Sequence, residues 1–129
     1  MGVPFSDPQA DGPTIQVAHQ VGILQGVTLT EIFTVISDAR KAGLTVPIVL
    51  MGYLNNFLTL GLENVCQIVK KVGGDGFIIV DLPPEEATTF ASYCKEYALC
   101  FIPLISPTTS LVRMKRIGEL AKGFVYCVR

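Results

Sequence analysis

The 129-residue chain has no tryptophan, a single histidine and few charges. Charged residues make up 16% of it, against roughly 25% in an average globular domain. Ten Lys and Arg against eleven Asp and Glu leave a net charge of -1. A nucleic-acid binder carries a basic face, and the densest cluster here is only Arg113-Met114-Lys115-Arg116, so no nucleic-acid partner is expected. The four cysteines (66, 94, 100 and 127) form no C-x-x-C pair. With one histidine they cannot assemble a tetrahedral zinc set, so no metal is expected and the cysteines read as buried reduced thiols. No G-x-G-x-x-G follows a strand pattern and no G-x-x-x-x-G-K-[ST] occurs, which removes the main support for nucleotide binding. No signal peptide is expected. The uncharged run Ala42 to Leu62 has the length of a membrane span. It is broken by Gly43, Pro47, Gly52, Asn55, Asn56 and Gly61, and reads instead as a buried strand, a polar loop and a helix start. No membrane association is expected.

Half of the residues are hydrophobic, which excludes a disordered tail and favours one compact domain over 1–129. Four short apolar runs read as strands: Val46-Pro-Ile-Val-Leu-Met51, Gly76-Phe-Ile-Ile-Val80, Cys100-Phe-Ile-Pro-Leu-Ile105 and Gly123-Phe-Val-Tyr-Cys-Val128. Val3-Pro-Phe reads as the end of an earlier one. Unbroken apolarity implies burial on both faces, as in parallel strands covered by helices. Helical patterns fill the gaps. Thr28-Leu-Thr-Glu31 resembles a capping box, and Gly43 is a terminator. Further helices are expected over Thr14–Leu24, opened by Gly12-Pro13, and over Leu62–Val72, closed by Gly73-Gly74. Pro84–Tyr97, with Glu85 and Glu86 in its first turn, and Ser110–Ala121 complete the set. This alternation is an α/β repeat with a parallel sheet. A doubly wound sheet and a (β/α)₈ barrel both fit. A complete barrel takes about 250 residues, so this chain holds about half of one.

In such folds chemistry sits at the C-terminal ends of the strands. Those ends carry Asp7 and Asp11 after the first fragment, then Tyr53 and Asn55, Asp81, Ser106 to Thr109, and Tyr126. Carboxylates and phenols without a metal set suit proton transfer on an uncharged organic substrate. Structural roles compete at each position. Asp7 and Asp11 lie among Pro and Gly, where Asp makes turns. Asp81 is placed to cap the following helix, and Tyr53 and Tyr126 to fill the core. His19 lies in a helix away from any strand end and reads as a structural or surface residue.

The run Gly2-Val-Pro-Phe-Ser-Asp-Pro-Gln-Ala-Asp-Gly-Pro-Thr-Ile-Gln16 resembles the α subunit of tryptophan synthase, and Pro4 to Pro13 is highly specific to that family. The resemblance continues through Met51-Gly-Tyr-Leu-Asn55, Asp81-Leu-Pro83, Ser106-Pro-Thr108 and Gly123-Phe-Val-Tyr126, and looks more like the eukaryotic form, in which α and β are often fused. It implies a (β/α)₈ barrel, here partial, with four to five parallel strands and flanking helices. The implied reaction is retro-aldol cleavage of indole-3-glycerol phosphate to indole and glyceraldehyde 3-phosphate, a lyase step of tryptophan biosynthesis. Asp11 matches the aspartate that contacts the indole N–H, where a carboxylate stabilises developing positive charge. Met51, Tyr53, Ile78, Val80 and Leu104 match positions lining the indole pocket, and Tyr126 matches a tyrosine near the substrate. Pro4, Asp7, Asn55 and Asp81 match the face that docks the β subunit, or a fused β domain. Pyridoxal phosphate belongs to that β partner, and the α domain is expected to need no cofactor. A cytoplasmic location, or a plastid one, follows.

The chain departs from the family pattern at both ends. The family's catalytic glutamate stands two residues before the glycine matched by Gly2. The mobile loop after strand six and the phosphate-binding loops of strands seven and eight have no counterpart before or at Arg129. The expectation is a piece of the α domain that is inactive alone. The alternative is a non-catalytic half-barrel that self-associates through its open edges or docks a β partner.

Overall fold

The computed structural model describes the backbone of residues 1–129 and every side chain except those of Pro84 and Glu85. The expected dipole role of Glu85 therefore lies outside the described residues. The elements run in order as α1 (Pro13–Leu24), α2 (Leu29–Lys41), β1 (Val49–Gly52), α3 (Leu54–Leu58), α4 (Leu62–Val72), β2 (Gly76–Ile79), α5 (Pro84–Glu96), β3 (Cys100–Phe101), β4 (Leu104–Ile105), α6 (Leu111–Leu120) and β5 (Tyr126–Cys127).

The helix boundaries follow local chemistry. At the start of α2 the Glu31 N–H donates to Thr28 Oγ1 at 3.3 Å and the Thr28 N–H donates to Glu31 Oε2 at 3.1 Å, the reciprocal capping box. The helix turns Ile32, Phe33 and Ile36 inward. α4 buries Val65, Cys66 and Val69 and stops at Gly73, whose φ of 97° only glycine adopts at little cost. The short helix α3 was not anticipated. The Leu54 N–H at its start donates to Asp81 Oδ1 at 2.6 Å, so Asp81 caps a helix across the sheet rather than the one that follows it. The run Ala42 to Leu62 thus holds β1 and α3, and no single helix is long and apolar enough to cross a membrane.

All strand pairings are parallel. β1 pairs with β2 (Leu50 beside Phe77, Met51 beside Ile78), and β2 pairs with β3 (Phe77 beside Phe101). Gly2 bridges Met51 in the same sense, so the amino-terminal fragment occupies the outer edge of β1. β4 pairs with β5 (Leu104 beside Tyr126). The anticipated strand over 100–105 is divided, but its alternation is continuous. The N–H groups of Cys100 and Ile102 donate to Asp75 and Phe77, while the carbonyls of Phe101, Pro103 and Ile105 accept from Lys122, Tyr126 and Val128. One extended segment therefore joins both sheets. The next ladder bond would need an N–H at residue 103, and Pro103 has none to give. This is why the run 123–128 narrows to two paired residues in β5.

Helices cover one sheet face. Leu50, Phe77, Ile79 and Phe101 pack there with Ile36, Val69 and Phe90 in one buried cluster. Edge-to-face contacts link Phe57, Phe77, Phe90 and Phe101 at centroid distances of 5.7, 5.2 and 5.6 Å; such pairs add about 0.5–1.5 kcal/mol each beyond their area burial. The expectation of four buried thiols is corrected: Cys66 and Cys94 are buried, Cys100 is half-buried, and Cys127 is exposed. Cys127 lies on β5, which packs under no helix.

The amino-terminal ends of the strands are tied by Arg40. Its guanidinium donates to the carbonyls of Gly73 (2.9 Å), Leu44 (2.7 Å) and Val46 (2.8 Å) and to Asp75 Oδ2 (2.8 Å). Asp75 Oδ2 also accepts from the Ile48 N–H at 2.7 Å. Hydrogen bonds to charged groups contribute about 1.5–3 kcal/mol. Arg40→Ala should lower unfolding stability by about that amount in urea titration. Asp75→Asn should cost less, because the amide oxygen still accepts from Ile48.

Candidate active site

Asp11 lies in the turn just before α1, and its side chain is 17% exposed. Its Oδ2 accepts from Tyr53 Oη–H at 2.8 Å and contacts His19 Nε2 at 3.1 Å. Its Oδ1 takes no hydrogen bond from the described residues. Tyr53, directly after β1, is 3% exposed. Its hydroxyl also accepts from the Ala10 N–H at 2.9 Å, and its ring stacks on Phe5 at 5.1 Å. Burial first, and then the hydrogen bond to Asp11, push its phenol from 10 up to about 12. Tyr53 thus remains a neutral donor to Asp11.

Neighbouring contacts hold this corner in place. Asn56 Nδ2 donates to the Pro4 carbonyl at 2.8 Å, and Asn56 Oδ1 accepts from the Tyr53 N–H at 3.2 Å. Asp81, exposed after β2, holds the start of α3. Asp7 lies in an exposed turn and accepts from Gln9 Nε2 at 3.1 Å. Asn55 is exposed on α3. Pro4, Asp11, Tyr53, Asn55 and Asp81 therefore gather at the carboxyl ends of the strands, with Asp7 at the rim.

The anticipated apolar residues share the other sheet face. Met51 stands beside Ile78, Val80 follows two residues on, and Leu104 stands beside Tyr126. Strand alternation points all five away from the row Leu50, Phe77 and Phe101 that the helices cover. Ile78 is 8% exposed and Tyr126 is 41% exposed, so this wall is closed at the centre and open at the β5 end. A cavity of about 550 Å³ extends from Ala10 past Val80 and Leu104 to Arg113 and Arg116. Sequence reasoning missed His19 as a neighbour of Asp11. Spacing gave no signal, since eight helical residues rise about 12 Å and Asp11 precedes α1.

The sequence profile of the tryptophan synthase alpha chain family matches residues 1–129. The chain belongs to the tryptophan synthase alpha chain family. Over 128 residues it is 48% identical to the tryptophan synthase of Saccharomyces cerevisiae, covering 99% of this chain and 18% of that protein. It is 48% identical to the tryptophan synthase alpha chain of Roseiflexus castenholzii, covering 99% of this chain and 49% of that one. A solved tryptophan synthase complex from Pyrococcus furiosus superposes with a TM-score of 0.93 at 38% identity, covering 98% of this chain and 52% of that chain. The chain spans about half the length of the bacterial relatives it matches. Its parallel strands and flanking helices are accordingly part of the α/β barrel of the tryptophan synthase alpha chain.

The raised Tyr53 value has a measurable consequence. A neutral Tyr53 stabilises the fold fully below pH 10, and that contribution is lost as pH rises through about 12. In ultraviolet titration of the four tyrosines, the phenolate absorbance that appears only near pH 12 should be absent from Tyr53→Phe.

Proposed function

We propose that this chain supplies the indole-binding side of a tryptophan synthase α site acting on indole-3-glycerol phosphate in tryptophan biosynthesis. One observation carries the reading: a carboxylate with one oxygen fixed and one unengaged lies at the carboxyl ends of parallel strands, next in sequence to Ala10, which lines one cavity with Val80 and Leu104. The wall of Met51, Ile78, Val80, Leu104 and Tyr126 suits a flat aromatic ring. Asp11 Oδ1 suits the ring N–H and the positive charge that builds on the indole when its carbon 3 is protonated. Retro-aldol cleavage then breaks the bond from carbon 3 to the glycerol chain as the adjacent hydroxyl loses its proton, and glyceraldehyde 3-phosphate departs. The reaction as proposed draws on no cofactor in this domain. Pro4, Asp7, Asn55 and Asp81 form the face proposed for a β subunit or fused β domain, which would bring its own pyridoxal phosphate.

Proton transfer at carbon 3 needs a second acid/base group, and no second carboxylate is hydrogen-bonded into the Asp11 site among the described residues. A missing general acid/base lowers rates by about 10²–10⁴. The 129 residues alone should therefore release indole from indole-3-glycerol phosphate at least about a hundredfold more slowly than a complete α chain. Turnover within tenfold would overturn this part of the reading.

A second reading rests on exposed apolar side chains. α1 presents Ile15, Val17, Val21, Ile23 and Leu24 to solvent, and the other end presents Leu111, Val112 and Phe124. Large exposed apolar patches mark association surfaces, which favours a non-catalytic half-barrel that pairs with a second copy. Light scattering decides it: a dimer mass is the expected result, and a monomer across the micromolar range rejects it.

A further inference from the structure

We propose that His19 is a positioning residue for Asp11, a role that rests on the function proposed above. The Phe5 N–H donates to His19 Nδ1 at 3.0 Å. That nitrogen must offer its lone pair, so the ring proton of neutral His19 resides on Nε2. Nε2 then donates to Asp11 Oδ2 at 3.1 Å. The same oxygen accepts from Tyr53 at 2.8 Å, and the Tyr53 ring meets the imidazole edge-on at 6.0 Å. The His19 side chain is 12% exposed, so solvent competes weakly for these bonds.

Both donors converge on Oδ2. Rotation of the carboxylate about its Cβ–Cγ bond would break both bonds together, so Oδ1 is the oxygen presented to a ligand. With Tyr53 alone, the carboxylate plane could swing about that single contact; two donors on one oxygen fix its direction. The proton on Nε2 is fixed by a main-chain N–H five residues from the start of the chain, which makes the Pro4–Phe5 segment part of the aiming device. His19 touches no substrate atom in this arrangement and acts through Asp11.

Two measurements on the chain test the role. In ¹⁵N-labelled protein at pH 8, long-range imidazole spectra should show His19 as the Nε2–H tautomer, and its Nε2 shift should move in Asp11→Ala. The chain has no tryptophan, so indole fluorescence reports binding against a dark background. His19→Leu should weaken indole binding by roughly fivefold to tenfold, as expected for loss of about one hydrogen bond. His19→Gln, whose amide can donate from the same place, should stay within about twofold of wild type. An Nδ1–H or averaged ring, or His19→Leu binding as tightly as wild type, overturns the positioning role. Absent indole binding, or binding unchanged in Asp11→Ala, overturns the proposed function instead, and the tautomer spectra then decide the His19–Asp11 coupling by themselves.

Discussion

The Tyr53 hydroxyl is the contact on which the candidate site depends. It accepts from Ala10 and donates to Asp11, and so joins the amino-terminal turn to the end of β1 across 42 residues of sequence. Loops rich in Pro and Gly have many conformations, and Asp11 would sample them without this tie. Burial makes the tie firm, because a phenol removed from water needs its hydrogen-bond partners. Phe5 stacked on the same ring and Asn56 bonded to the Pro4 carbonyl extend the restraint along the loop. The arrangement holds the Asp11 side chain at the carboxyl ends of the strands with no Lys or Arg paired to it among the described residues.

The two ends of the sheet use different chemistry. At the amino ends, Arg40 bonds three carbonyls and Asp75 Oδ2, closing the loops that feed β1 and β2. That set pairs a carboxylate with a guanidinium and ties main-chain carbonyls together, and reads as stability. At the carboxyl ends, Asp11 keeps an oxygen unengaged and the inner wall is open toward Tyr126. The barrel family places its chemistry on this side. The division between an end whose carboxylate is paired with Arg40 and an end whose carboxylate is bonded by Tyr53 and His19 is visible in these 129 residues alone.

Much of this was legible in the sequence, for identifiable reasons. Helix limits set by local signals were read well: the Thr28–Glu31 capping box and the Gly73 stop depend only on neighbours. The shared face of Met51, Ile78 and Leu104 follows from strand period. Partnerships decided by three-dimensional approach were not readable. Asp81 was assigned to the helix that follows it, yet it accepts from the Leu54 N–H on the adjacent connection. His19 was read as structural or surface because it lies in a helix away from any strand end; its ring contacts Asp11 and the Phe5 N–H. Pro103 was read as part of a continuous strand, which is right for the chain path and wrong for the pairing it permits.

That proline bears on how the molecule comes apart. It leaves β5 attached by a two-residue ladder, and α6 behind it buries no residue. Segments with few buried contacts open at lower free energy than the rest of a domain. The last fifth of the chain, from β4 onward, therefore behaves as a leaf hinged on the panel of β1, β2 and β3. Tyr126 travels with the leaf, while Asp11 and Tyr53 stay with the panel, so the width of the gap between them is a dynamic quantity rather than a fixed one.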